Sequence, residues 1–326
     1  MTQGRFTSSG LSGRMKILSI ALLISAAATM AAWAQDGQAP FVVAEQGRSY
    51  ARLDAAIRAI GSGTGTILIA PGGYRQCAVQ SEGSITFRAR EPGTVIFDGV
   101  SCEGKAALVL RGRSATVDGI IFQNMRVPDA NGAGIRLEQG DLHVVNSLFR
   151  NSEQGILTAA DPAGEIRIDR STFQHLGRCD RGLSCAHSIY VGGYGKLSVT
   201  RSRFELGNGG HYVKSRAAIA DIVGNSFDDT GGRETNYMID LPAGATGLIS
   251  GNLMVQGRSK ENYSAFIAVA AEGKENSSNG LSIKDNRASF APGVDRASSF
   301  VADWSGDRIA LDANQLGRGI KPFDRR

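Results

Sequence analysis

Tyr190, Lys214 and Asp240 set a phenol, an amine and a carboxylate 24 and then 26 positions apart in this chain of 326 residues. Arg216 adds a guanidinium two residues beyond the amine. These are the groups of acid–base chemistry on an anion. A guanidinium grips a carboxylate through two parallel hydrogen bonds, while an amine or phenol, titrating ordinarily near ~10, can act as a base once its neighbours depress its pKa. A spacing of about 25 residues matches one turn of a solenoid made of short strands. On such a scaffold Tyr190, Lys214 and Asp240 form one outward row, and His187, His211 and Tyr237 form the neighbouring row.

The elements that would hold this row recur along the chain. An apolar strand core followed at its third position by Ser or Asn, and usually at its fifth by a large apolar residue, appears as Val144…Ser147…Phe149, Ile168…Ser171…Phe173, Val199…Ser202…Phe204 and Ile222…Asn225…Phe227. It continues as Ile249…Asn252…Met254, Ile283…Asn286 and Leu311…Asn314…Leu316. Successive Ser/Asn positions are 24, 31, 23, 27, 34 and 28 residues apart. A fixed phrase with variable gaps predicts stacked turns with loops inserted on some of them. Short strands cannot bury their apolar side chains alone, so stacking supplies the core. Asn225, Asn252, Asn286 and Asn314 are expected to stack at one corner, where asparagine tolerates a left-handed backbone and its amide bonds to the copies above and below. Phe149, Phe173, Phe204 and Phe227 are expected to stack inside.

Ahead of the repeats, Tyr50, Leu53, Ala56, Ile57 and Ile60 fall at helical spacing, predicting one amphipathic helix over 49–61 that ends at Gly61-Ser62-Gly63. Arg14-Met15-Lys16, the apolar run from Ile17 and the small residues of Ala32-Trp33-Ala34 predict a secretory signal peptide over 1–34, cut near Ala34. A linker and leading strand over 35–48, a solenoid over 62–316 and a tail over 317–326 complete the expected plan. A periplasmic or secreted location follows, with no membrane association after cleavage.

Composition narrows the function classes. The 42 glycines come with only 8 prolines, which suits many tight turns rather than collagen or disorder. Removing the three basic residues of the signal segment leaves 36 − 3 = 33 basic against 31 acidic residues, so no concentrated positive face for nucleic acid is expected. A monomer without a cofactor is expected. The four cysteines of an exported chain favour disulfides, with Cys77–Cys102 spanning about one turn and Cys179–Cys185 closing a small loop. Loop-closure entropy assigns these about 3.5 and about 2 kcal/mol.

The amphipathic helix, the Ile-Leu-Ile-Ala-Pro-Gly-Gly-Tyr phrase at 67–74, the asparagine ladder and the turn-by-turn apolar strands resemble the right-handed parallel β-helix proteins of the pectin-lyase-like superfamily over about 41–316. The resemblance implies an all-β, right-handed parallel β-helix capped by the N-terminal helix. It also implies carbohydrate activity, since members are mostly lyases, hydrolases and epimerases on acidic polysaccharides, beside others that only bind glycans or surfaces. The expectation is a lyase or epimerase on a uronate polysaccharide. A non-catalytic glycan- or surface-binding β-helix is the first alternative, and a polygalacturonase-type hydrolase using Asp228 or Asp229 the second.

For β-elimination on a uronate, Arg216 suits neutralisation of the sugar carboxylate, and Lys214, Tyr190 or His211 suits proton transfer. Asp240, Tyr212, His187 and Tyr194 are the expected ligand contacts. Strand alternation puts Ile189, Val191, Val213, Ile239 and Leu241 inward, and Tyr190, Tyr212, Lys214, Arg216 and Asp240 outward. By the same parity His187 and His211 fall inward or at the start of a strand. Upstream, Arg136 and Glu138 share the outward face, and the Leu157 turn offers it only Thr158. One tension is built in: Asp240 one turn below Lys214 favours the ammonium and opposes its use as a base. The same row also reads as a plain surface ladder worth about 0–1 kcal/mol. A weak Ca2+ site could draw on Asp221, Asp228, Asp229 and Asp240. Loops at 174–186, 228–236, 256–265 and 272–280 are expected to wall a groove.

Overall fold

A computed structural model describes Met1 and residues 39–180 and 182–326. The expected signal peptide lies outside the described residues, apart from Met1. From Phe41 onward the chain winds into a parallel β-solenoid with three sheets. The first sheet has 12 strands and the other two have 10 each, all counted among the described residues. Within each sheet, one strand pairs in parallel with the strand one turn later. The exceptions are Phe41–Val43 and Arg48–Tyr50, which run antiparallel at the start of the first sheet.

The helix spans Leu53–Ile60, shorter than the expected 49–61 because Ser49 and Tyr50 are claimed by the strand Arg48–Tyr50. Leu53, Ala56 and Ile57, one apolar stripe at helical spacing, are buried in the same core as the strands. At the other end, Ile320–Arg325 is a strand of the third sheet pairing with Ser298–Asp303, so residues expected to form a tail continue the solenoid.

The interior is an aromatic column. Phe97, Phe122, Phe149, Phe173, Phe204 and Phe227 stack at centroid distances of 5.7, 5.1, 4.9, 4.9 and 4.8 Å, extending the expected stack by two rings. The asparagine ladder is present. Asn225 Nδ2 donates to Asn252 Oδ1 at 3.0 Å, Asn252 to Asn286 at 2.9 Å and Asn286 to Asn314 at 2.9 Å. Each amide also caps a backbone carbonyl of the turn before, as Asn225 does for Val199 at 2.9 Å. The left-handed residue of this corner is not the ladder asparagine but the one before it. Arg201, Gly224, Gly251, Asp285 and Ala313 all have φ between 49° and 69°. The amide therefore tethers a corner that its predecessor bends.

Both disulfides form as expected, Cys77–Cys102 with Cα atoms 5.4 Å apart and Cys179–Cys185 at 4.4 Å. Among the described residues no helix is long and apolar enough to cross a membrane.

Candidate functional site

The third sheet carries the row. Arg136 pairs with Leu157, Leu157 with Tyr190, Tyr190 with Lys214 and Lys214 with Asp240, each in register on successive strands. The outward positions of these strands thus stand about 4.8 Å apart, close enough for neighbouring side chains to touch. Leu157, not Thr158, occupies the outward place on its turn. Thr158 is buried, and its hydroxyl receives the Gly192 N–H at 2.8 Å. A one-residue difference in register reverses which side chain faces out.

The row is a charged network. Lys214 Nζ lies 3.1 Å from Asp240 Oδ2, and Arg216 Nε donates to the Tyr190 hydroxyl at 3.1 Å. The Lys214 ammonium also sits 5.9 Å from the Tyr190 ring centroid, within range of a cation–π contact. A fifth group completes the network, one the spacing argument does not find. Glu272 reaches back from an inserted loop and takes Lys214 with one carboxylate oxygen and Arg216 with the other. Its loop is tied to the preceding turn by the Glu272 and Gly273 N–H groups donating to Pro242 O at 3.0 and 2.9 Å. Asn276 Nδ2 donates to Arg216 O at 3.2 Å. The only trace of this in the sequence is the longest gap in the repeat, the 34 residues from Asn252 to Asn286.

Burial sets the protonation of these groups. Asp240 has a side chain only 3% exposed. Burial pushes its carboxyl up to about 6 against the opposing pull of Lys214, and its Oδ1 has no hydrogen-bond partner. For Lys214, burial alone favours the neutral amine, but the attraction of Asp240 and Glu272 outweighs it and raises the pKa. Lys214 is therefore an ammonium at neutral pH and serves as a cation or an acid, not a base.

The histidine row also forms. His187 and His211 rings lie 4.9 Å apart, His211 and Tyr237 5.6 Å. The His211 backbone N–H donates to His187 Nδ1 at 3.0 Å, and His211 Nε2 lies 3.5 Å from Asp240 Oδ2. Burial drives His187 down to about 3 and holds His211 well below its usual value, so both are neutral imidazoles at physiological pH. They line the strand starts behind Asp240, where parity puts them.

Two expected ligand contacts are core residues. Tyr212 is buried, and its hydroxyl donates to Asp229 Oδ1 at 2.8 Å and accepts the Gly207 N–H at 3.1 Å. It precedes the strand Val213–Ser215, at the corner where strict alternation has not yet begun. Tyr194 is buried at the start of its strand on the first sheet, with its hydroxyl unpartnered.

Asp229 anchors the loops. It is fully buried, with Lys260 Nζ 3.2 Å from Oδ2 and the Lys260 side chain only 1% exposed. Thr235 Oγ1 donates to Oδ1 at 2.7 Å, and the Gly257 N–H donates to Oδ2 at 3.0 Å. A Cβ on Gly257 would lie 1.9 Å from Asp229 O, so only glycine allows this approach. Asp229 thus staples three successive loops and cannot reach a glycosidic bond, which removes it from any hydrolase pair. The four carboxylates considered for Ca2+ are separately engaged: Asp221 with Lys196 at 2.8 Å, Asp228 with the Thr230 N–H at 3.0 Å, Asp229 with Lys260 and Asp240 with Lys214. Among the described residues no three His, Cys, Asp or Glu side chains converge as metal ligands.

This geometry defines a parallel β-solenoid with a charged patch on one sheet. No protein-family model matches the chain, and no curated protein does. Among solved structures, it is similar to ORF18 of Geobacillus virus E2 at 14% identity and a TM-score of 0.49, covering 83% of this chain and 55% of that one. A mutant of the PL6-family alginate lyase AlyGC is similar at 13% identity and a TM-score of 0.39, over 83% of this chain and 38% of the lyase. The Streptococcus pneumoniae surface protein and adhesin PfbA is similar at 11% and 0.36, over 84% and 94%. The chain thus spans about half of the viral protein and less of the lyase.

Proposed function

We propose that this chain is an exported carbohydrate-active protein whose third sheet binds an acidic, uronate-containing polysaccharide and acts on it as a lyase or epimerase. One observation carries the reading: Lys214 and Arg216 converge on a single carboxylate, that of Glu272, so the patch already has the shape and charge of a carboxylate receptor. In the bound complex the sugar carboxylate takes the place of Glu272, whose side chain is 44% exposed, and exchanges with it on the two cations. The two cations then offset the charge that develops as C5 loses its proton.

The proton-transfer groups divide by environment. Tyr190 is half-buried and its oxygen accepts the Arg216 N–H at 3.1 Å; having first given up its own proton to solvent, it takes the C5 proton as the phenolate, whose charge the guanidinium offsets. In the lyase reaction the C5–H electrons form the C4=C5 bond, the C4–O bond breaks, and the Lys214 ammonium protonates the leaving oxygen. In an epimerase the proton returns to C5 from the opposite face. His211 stays behind Asp240 as its orienting neighbour.

A binding-only reading is favoured by the clamp of Asp240 and Glu272 on Lys214, which holds the ammonium in place. Uronate polymers incubated with the protein, with ultraviolet absorbance of new unsaturated ends and proton exchange at C5 as readouts, separate the two. A lyase shows the absorbance and an epimerase the exchange. Binding with neither supports the binding module. Activity that survives Lys214→Ala together with Arg216→Ala overturns the site.

A further inference from the structure

A second cluster of charges lies upstream on the same sheet. Lys105 Nζ donates to Glu138 at 2.7 Å and to Glu103 at 3.1 Å, while Arg111 donates to Glu138 at 2.5 Å and to Glu103 at 2.9 Å. Two cations and two carboxylates are thereby mutually satisfied, and the lowering of Glu103 to about 2 by its contacts with Arg111 and Lys105 fits that pairing. Arg136 is the third and most distant cation on Glu138. Its Nε is 3.7 Å from Glu138, beyond hydrogen-bond distance, and that atom is shielded from solvent with no partner. The side chain is 24% exposed and stands in the outward row of Leu157, Tyr190 and Lys214. A guanidinium whose one ion-pair partner, Glu138, is already shared by two nearer cations, and whose Nε–H is unbonded, gains free energy when a further anion comes to it.

Between Arg136 and the Lys214–Arg216 pair, the floor is uncharged. Leu157 and Tyr190 present half-buried apolar surface, flanked by Ala159 and Gly192, which have little or no side chain to obstruct a ligand. The separation is three strand spacings, roughly 14 Å.

We propose that Arg136 is a second carboxylate-binding position, so that the groove holds one oligouronate chain with a carboxylate at each end and sugar faces on Leu157 and Tyr190. This rests on the uronate reading of the Lys214–Arg216 site and adds a length requirement to it. A ligand with one carboxylate engages only the downstream cations, and a longer one engages both.

Calorimetric titration with oligogalacturonates and alginate oligomers of graded length, from monosaccharide upward, tests this on the full chain. Arg136→Gln is expected to weaken binding of oligomers long enough to span the two positions about tenfold, the effect of one charged contact of ~1.4 kcal/mol. It is expected to leave the monosaccharide unchanged, and Arg136→Lys to restore part of the loss. Equal losses at every length, or no loss at any, overturn the second position while leaving the first intact. If the wild-type protein binds no uronate of any length, both readings fall. Because Arg136 Nε makes no hydrogen bond, a thermal midpoint close to wild type is expected for Arg136→Gln, which separates lost binding from lost folding.

Discussion

Two aspartate–lysine pairs, each linking one turn to the next, serve opposite ends in this molecule. Asp229 and Lys260 are sealed: every oxygen and the ammonium are bonded to loop groups, and the side chains are 0% and 1% exposed. Asp240 and Lys214 sit in the row on the third sheet with one carboxylate oxygen unpartnered and a third charge, Glu272, laid over the ammonium from an exposed loop position. The chemistry of the two pairs is the same. What differs is saturation: the first pair is fully bonded among buried groups, whereas the second leaves Asp240 Oδ1 unpartnered and shares its ammonium with the exposed Glu272.

Breaking the sealed pair produces the largest expected effect. Asp229→Ala strands a buried ammonium and three loop donors, and is expected to cost about 3–5 kcal/mol in urea unfolding, with the loops it staples loosened. Asp240→Asn is expected to cost much less, because the position carries an orphaned oxygen already. A comparable loss at both sites would erase the distinction drawn between them.

The pH dependence sharpens it further. A carboxyl whose folded pKa lies above its unfolded value binds its proton more tightly when folded, so the folded state gains from protonation. Asp240, ordinarily near 3.8 and about 6 in the fold, is therefore expected to make stability fall as pH rises from about 4 to about 6. Asp240→Asn flattens that slope in unfolding curves measured across the window; an unchanged slope would mean Asp240 titrates normally.

The smallest effect belongs to the loop carboxylate. Glu272→Gln removes the internal competitor for Lys214 and Arg216 and is expected to tighten uronate binding a few-fold, on the order of 1 kcal/mol, in the same titrations. Weaker binding would show instead that Glu272 positions the cations for the ligand.

The legibility of this site in the sequence follows from its mechanics. Tyr190, Lys214 and Asp240 were recoverable because each lies inside a strand, where the two-residue alternation and the turn length together dictate both face and neighbour. His187, His211 and Tyr237 lie two residues ahead of the same strands and stack because the turn spacing carries over to them, with no strand alternation of their own. Tyr212, Tyr194 and the Leu157–Thr158 pair were not, because they lie at strand ends and corners where alternation restarts and a shift of one residue swaps inside for outside. Glu272 and Lys260 were invisible to spacing, since a loop's length says that it projects but not where its side chains land.

The sequence by itself determined the solenoid, its aromatic column, its asparagine corner, both disulfides and the row of Tyr190, Lys214 and Asp240. These are repeat properties, and a repeat carries its own register. Only the tertiary structure decided which charges are spent and which remain. That outcome depends on inserted loops folding back over neighbouring turns, bringing Lys260 to Asp229 and Glu272 to Lys214 across distances in sequence that no local pattern encodes.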